Sequence, residues 1–325
     1  MNVFEIEKLG FTFRNKDSHN KVTNNHVLFI DSLKIKKGKF TVILGNSGCG
    51  KSTLIEAMGL MNDTIHEGDV IYKSPERPEN LGKLWCNRGK MAQIRRDYFS
   101  FIFQDDYLMP YYTCEENALI ARLIQNKIEK QLCAGLLKEP VDSIQLKDDK
   151  TDPVEDGKLK EPADTLKPKD EINELMKRHP VKISGGQKQK LSFIRAILKD
   201  FDVLFGDEPT GNLDFANSLK LFEFIKEKLN GNGKDSSAIS KPTERGRENS
   251  AIIVSHNIEL TVAMADNIIV LTKSAPGSKF NYELKPGHVF ERDRHDVARW
   301  DGFTDNDALV SFIKTIMSVQ PVQSS

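Results

Sequence analysis

Phe40-Thr41-Val42-Ile43-Leu44-Gly45-Asn46-Ser47-Gly48-Cys49-Gly50-Lys51-Ser52-Thr53 is the stretch on which the reading of this chain turns. Lys39 to Leu44 is short and rich in β-branched and aromatic residues, which predicts a strand. It runs directly into Gly-x4-Gly-Lys-Ser, and a helical pattern follows from Thr53 to Met61. Gly45, Gly48 and Gly50 let the backbone curl until successive amide N–H groups point inward, and the helix start adds its positive dipole end. Such a curl is a cradle for phosphate oxygens, a P-loop. Lys51 would reach the β- and γ-phosphates of a nucleotide as a point charge, and the Ser52 hydroxyl is placed to ligate Mg²⁺. The whole run from Gly45 to Thr53, including Asn46, Ser47 and Cys49, is assigned to the nucleotide. A chance Gly-rich turn is the bland alternative, and the flanking strand and helix argue against it.

Outward from this loop, strands are expected at Asn2 to Lys8, Val27 to Ile30, Tyr98 to Phe103, Val203 to Phe205, Ala251 to Ser255 and Asn267 to Thr272. Helical segments separate most of them, so the expected fold is α/β, a mainly parallel sheet with right-handed crossovers. Thr113-Cys114-Glu115-Glu116 has the spacing of a capping box. Leu119, Ile120, Leu123, Ile124 and Ile128 then recur at helical spacing, which suggests a helical subdomain over about 107–199. Lys147 to Asp170 carries 14 charged residues among 24, three prolines and no aromatic, and reads as a loop insertion. Asn230 to Ser250 reads as a second one. After a nucleotide-binding domain over 1–274, residues 275–325 form a C-terminal extension, with an amphipathic helix expected from Asp305 to Met317 on Leu309, Phe312, Ile313 and Ile316.

A second acidic element completes the chemistry. Asp202-Val203-Leu204-Phe205-Gly206-Asp207-Glu208 is a short apolar strand that delivers Asp207 to the sheet's carboxyl edge, where it can hold Mg²⁺ through water. Glu208 follows and can polarise an attacking water as general base. Alone, this pair would read as a solvated strand end; behind a P-loop it reads as the catalytic edge.

Composition bounds the partners. The 325 residues hold 47 Lys plus Arg and 47 Asp plus Glu, a formal charge of zero, so there is no global electrostatic argument for nucleic acid. No apolar run approaches the roughly 18 residues of a membrane span, and Glu5 and Glu7 interrupt what a secretory signal would need. Cys49, Cys86, Cys114 and Cys133 form no CxxC pair, which fits a reducing cytosol better than a zinc ribbon or disulfide framework. His288 and His295 lack a ligand pattern and read as surface. Arg88, Lys90, Arg95 and Arg96 read as a solvated face.

Further motifs stand in order along the chain: Gln104 after the strand that ends at Phe103, Ile183-Ser184-Gly185-Gly186-Gln187, Gly211-Asn212-Leu213-Asp214, and Ser255-His256 after an Ile-Ile-Val strand. With the P-loop and Asp207-Glu208, this set resembles the ATP-binding cassette (ABC) ATPases over roughly residues 1–275. The segments Phe103 to Pro110 and Asp207 to Asp214 look like the lipoprotein-releasing, macrolide-export and cell-division subfamily. The resemblance implies a P-loop ATPase with an N-terminal antiparallel β-subdomain, working as a dimer around two ATP with Mg²⁺. It implies that Gln104 senses Mg²⁺ and water, that Ser184, Gly185, Gly186 and Gln187 meet the ATP of the other subunit, that Asp214 lies at the dimer seam, and that His256 holds the γ-phosphate. Phe13 matches the aromatic that stacks on adenine, with Phe11 the competitor. The partners implied are a second subunit, most simply the same chain, and a transmembrane permease, which would place the protein on the inner face of the cell membrane. A regulatory ATPase that signals through a membrane partner without transport remains an alternative, as does, more remotely, a soluble ATPase acting on DNA or ribosomes. Lys190 replaces the family's arginine after the signature, and the long spacings from Gln104 to Ser184 and from Asp207 to His256 agree with the two insertions.

Overall fold

The computed structural model describes residues 1–16, 22–125, 174–211, 213–230, 248–293, 299–303 and 305–318. Both expected insertions fall almost entirely outside these residues, as do Ile128, Cys133 and His295.

The centre of the sheet is β3 (Phe40–Gly45), buried at every position. It lies between β8 (Ser250–Val254) and β9 (Asn267–Lys273), parallel to both. A strand flanked by parallel neighbours and covered on both faces must be apolar on both faces, which is why Val42-Ile43-Leu44 shows no polar alternation. The period of two still sorts the side chains: Phe40, Val42 and Leu44 enter one core, and Ile43 the other. β7 (Val203–Asp207) and β6 (Phe99–Ile102) extend the parallel part beyond β8. On the face of Ile43 lies α1 (Lys51–Met58), through Leu54, Ile55, Ala57 and Met58. On the opposite face pack α3 (Cys114–Ile124), α4 (Gly185–Leu198), α5 (Phe215–Asn230) and α6 (Ile258–Met264). Between β6 and the preceding strands comes α2 (Arg88–Asp97).

The N-terminal strands form the antiparallel part: β1 (Asn2–Lys16) pairs with β2 (Val22–Lys36) and with β4 (Glu67–Lys73), and β5 (Pro78–Asn80) closes the edge. β1 and β2 run much longer than the expected Asn2–Lys8 and Val27–Ile30. A register shift between Phe11 and Thr12 breaks the alternation on which that expectation rests. The helix after the P-loop begins two residues earlier than expected, at Lys51, and stops at Met58, with Gly59 as its C-cap and Leu60 turned into the left-handed region at φ 59°.

The segment after β9 does more than extend the chain. β10 (Tyr282–Glu283) inserts between β2, to which it is parallel, and β9, to which it is antiparallel, so it joins the antiparallel strands to the parallel ones. β11 (Val289–Glu291) pairs with the start of β9. Finally α7 (Asn306–Ser318) buries Leu309 and Ile313 on the α6 side of the sheet, close to the expected helix, while Phe312 is partly exposed and packs edge-on to Phe290.

Two surface expectations change. His288 is half-buried, its ring nitrogen 3.3 Å from the Thr272 hydroxyl; burial, with Lys285 adding, holds its imidazolium below the usual value. The basic residues of α2 are paired rather than simply solvated: Arg95 donates to the Leu60 carbonyl (3.1 Å), Arg96 to Asp97 (2.8 Å), and Lys90 lies between Glu76 and Glu79. Arg88 is exposed.

Candidate functional site

β3 ends at Gly45, and the loop beyond it folds over the sheet before α1 begins. Gly45 has no room for a Cβ, which would lie 2.6 Å from Cys49 Sγ. Gly50 takes φ 94° as N-cap of α1 and leaves the helix start without a side-chain cap. The uncapped amides of that first turn are donors in want of an anion. Lys51 is buried, and its ammonium donates to the carbonyls of Gly45 (2.9 Å) and Asn46 (3.0 Å). Ser47, Gly48 and Ser52 are exposed, Thr53 is half-buried, and the Asn46 amide donates to the Met317 carbonyl in the last turn of α7 (3.0 Å). Cys49 is buried in the core beneath the loop, and burial raises its thiol pKa, which makes it a packing group and not a reactive thiolate.

Two strand ends bring the acidic residues to this loop. The Ser52 hydroxyl donates to Asp207 Oδ1 at 3.1 Å, across 155 positions of sequence. Burial pushes the Asp207 carboxyl up, partly offset by the Ser52 bond, while Glu208 adds to the rise. One residue on, Glu208 occupies the left-handed region with φ 48°, a conformation that costs a non-glycine residue about 1–2 kcal/mol. Its amide is fixed on the Val254 carbonyl (3.1 Å), and its Oε1 is 2.5 Å from Nε2 of His256. Glu208 and His256 together line a pocket of about 260 Å³ with Thr210, Gly211, Ser218 and Asn257. P-loop, Asp207, Glu208 and His256 therefore share one edge of the parallel sheet.

Gln104 is exposed just beyond β6 on the same edge. The following segment is held from two sides. Arg195 of α4 donates to the carbonyls of Asp106 and Tyr107, both at 2.8 Å. Asn117 of α3, fully buried, accepts from the Met109 amide (2.7 Å) and donates to the carbonyls of Met109, Tyr112 and Thr113. The capping box expected at Thr113 is formed, with both reciprocal bonds to Glu116.

Ser184 to Gln187 lies elsewhere, at the start of α4. Ser184 and Gln187 close a capping box, leaving Ser184 and Gly185 exposed and Gly186 half-exposed. Gln189, one turn along, donates to the Pro209 carbonyl (2.9 Å) and ties α4 to the loop after Glu208. Asp214 accepts from the Asn217 amide and side chain, both at 2.8 Å, and these bonds hold its carboxyl below the usual range, with Lys190 of α4 contributing. Phe11 is fully buried, whereas Phe13 is half-buried at the margin of the same core; of the two, only Phe13 has a surface to offer a ligand. Sequence reasoning missed the roles of Asn117, Gln189 and Arg195. The signal for Asn117 was a polar residue beside Leu119 and Ile120 on an otherwise apolar helix face.

The order of elements along this edge is matched by known proteins. Residues 28–211 match the ABC transporter family. The chain belongs to that family. It is an ABC ATPase, 31% identical over 196 residues to the lipoprotein-releasing system ATP-binding protein LolD of Aquifex aeolicus, which covers 60% of this chain and 72% of that protein. LolD of Zymomonas mobilis is 28% identical over 271 residues, 83% of this chain and 93% of that one. Among solved structures, the dimeric post-hydrolysis state of the cassette MJ0796 bound to ADP and Pi shares the ABC ATPase fold, with a TM-score of 0.61 at 20% identity over 82% of this chain and 93% of that one.

Proposed function

We propose that this ABC ATPase is the nucleotide-binding subunit of a membrane complex in which two copies close around two ATP molecules and drive a separate transmembrane permease of the lipoprotein-release or export type. The observation that carries the reading is that two helix starts face outward on different elements: the uncapped start of α1 and the exposed start of α4 at Ser184. In a composite site each copy would give its P-loop to one ATP and Ser184 to Gln187 to the other, with Asp214 at the seam. The LolD relatives and the dimeric cassette bound to ADP and Pi support the same assembly by name.

Within each site, Gly45 to Thr53 would cradle the phosphates and Lys51 would exchange its two carbonyl partners for phosphate oxygens. Ser52 and Asp207, with Gln104, would hold Mg²⁺. The Ser52 hydroxyl and the Asp207 carboxylate, 3.1 Å apart, supply oxygen donors of the kind such a hard cation takes, Asp207 through water. The metal's contribution there is to neutralise charge on the β- and γ-phosphates. Glu208 would take the proton of the attacking water, and His256, which now occupies the Glu208 carboxylate, would turn to the γ-phosphate and free that oxygen. Phe13 would stack on adenine.

For the permease, Tyr107, Met109, Tyr111 and Tyr112 form an exposed apolar segment immediately after Gln104. A contiguous exposed patch of this kind suits a protein partner. No helix among the described residues is long and apolar enough to cross a membrane, so the reading leaves the crossing to the permease and this chain on the inner membrane face. Mixing tests the composite site. A Lys51→Ala chain keeps a sound signature and a Ser184→Arg chain keeps a sound P-loop, so a mixed dimer contains one intact site. ATPase activity should reappear on mixing the two inactive chains, in the presence of the permease if needed; no recovery would refute the shared site.

A further inference from the structure

We propose that Tyr282 is a nucleotide-contacting residue supplied by β10, its ring packing against the nucleoside of ATP held on the P-loop and its hydroxyl donating to a ribose oxygen. β10 places Tyr282 opposite Leu28 of β2 in parallel register. Registered partners in parallel strands point to the same face of a sheet. That face is the P-loop's: a Cβ on Gly50 would lie 3.2 Å from the Leu28 Cβ. Tyr282 is half-buried and packs against the core that holds Leu28, Cys49 and Leu54. Burial raises its phenol, and the Cys49 thiol adds to the rise. Among the described residues its hydroxyl has no hydrogen-bond partner. An aromatic ring seated on a core with a free polar tip at the rim is suited to a ligand that is flat on one side and hydroxylated on the other.

The neighbouring aromatic strengthens the geometry. Phe13 lies on β1, on the far side of β2 from β10. The start of α1 lies over Val27 and Leu28 of β2, so a nucleoside that leaves the loop beside β2, as the proposal has it, meets one aromatic on each flanking strand. Phe13 is part of the resemblance described above, whereas Tyr282 belongs to the strand that the segment after β9 inserts between β2 and β9.

The inference rests on the P-loop holding the phosphates, so the experiment reads the two separately. Affinities of the full chain for ATP and for inorganic tripolyphosphate, which lacks the nucleoside, are measured with Mg²⁺ for the parent, Tyr282→Ala, Tyr282→Phe and Lys51→Ala. Tyr282→Ala should weaken ATP roughly tenfold and leave tripolyphosphate unchanged. Tyr282→Phe, which keeps the ring, should weaken ATP by roughly two- to tenfold. Lys51→Ala should weaken both ligands, and its failure to do so would count against the P-loop assignment. Parental ATP affinity in both Tyr282 variants overturns the proposal. So does an equal loss of ATP and tripolyphosphate, which would make Tyr282 only a prop for the loop.

Discussion

Glu208 carries its carboxylate on a backbone that side chains rarely adopt, and the Val254 carbonyl and the loop to Gly211 keep it there. Strain held at a reacting group is typical of a position fixed for chemistry. Lys51 is different: its charge is satisfied by two loop carbonyls, which a phosphate would replace in the proposed site. The two should fail in different ways. Lys51→Ala should lower ATP affinity, whereas Glu208→Gln should bind ATP and turn it over slower by roughly 10² to 10⁴. Equilibrium binding and steady-state hydrolysis on the same preparations separate the two losses, and parental turnover in Glu208→Gln would remove the general base from the account. Lys51 and Ser52 stand out locally, in their Gly-rich loop, whereas Asp207, Glu208 and His256 sit at ordinary strand ends and take on meaning only from the P-loop and the order of the other motifs. Their contacts were not legible. Nothing near Ser52 indicates that Asp207 lies 3.1 Å away, since that depends on strand order, and nothing near Glu208 indicates a paired histidine 48 positions later.

Asn117 makes α3 the brace of the segment that follows Gln104. It sits at zero exposure and exchanges four hydrogen bonds with residues 109–113. Asn117→Ala removes all four bonds and takes from the Met109 amide and the Tyr112 carbonyl their side-chain partner, at a cost of about 1–3 kcal/mol for a buried unsatisfied group. The expected result is a lower melting midpoint and a larger loss of permease-stimulated than of basal ATPase activity. Equal loss of both activities would mean that the segment only supports folding. Elements differ in how plainly they announce themselves. β3, β8 and β9 are unbroken apolar runs because both their faces are covered, and their positions could be read to within a residue or two. β1 and β2 have one wetter side and a bulge, so their polar halves look like loop. β10 is two residues of ordinary composition, a strand only because β2 and β9 leave a gap for it, and no local pattern could have disclosed it.

Alternation of strands and helices was enough to foretell a mainly parallel sheet with right-handed crossovers, but not the sequence of strands across it, because that order is set by how long crossovers return and not by any window of residues. The order β2-β10-β9-β3-β8-β7-β6 puts the P-loop strand between two strands from the last third of the chain. That placement has a meaning in time as well as in space. On a ribosome the P-loop emerges well ahead of its partners, because 205 positions separate Gly45 from Ser250, the first residue of the earlier of its two ladder partners. At about 5–20 residues per second this is a delay of roughly 10–40 s, during which Val42, Ile43 and Leu44 have neither backbone partners nor a finished core. A nascent chain halted short of Ser250 should therefore fail to retain ATP, while one extended beyond Lys273 and clear of the exit tunnel should hold it. Retention by the shorter chain would show that the loop can form without its sheet. The strand that leads into the P-loop is thus made before either of its ladder partners, and for those seconds it is an exposed apolar segment that a chaperone would recognise before any nucleotide could.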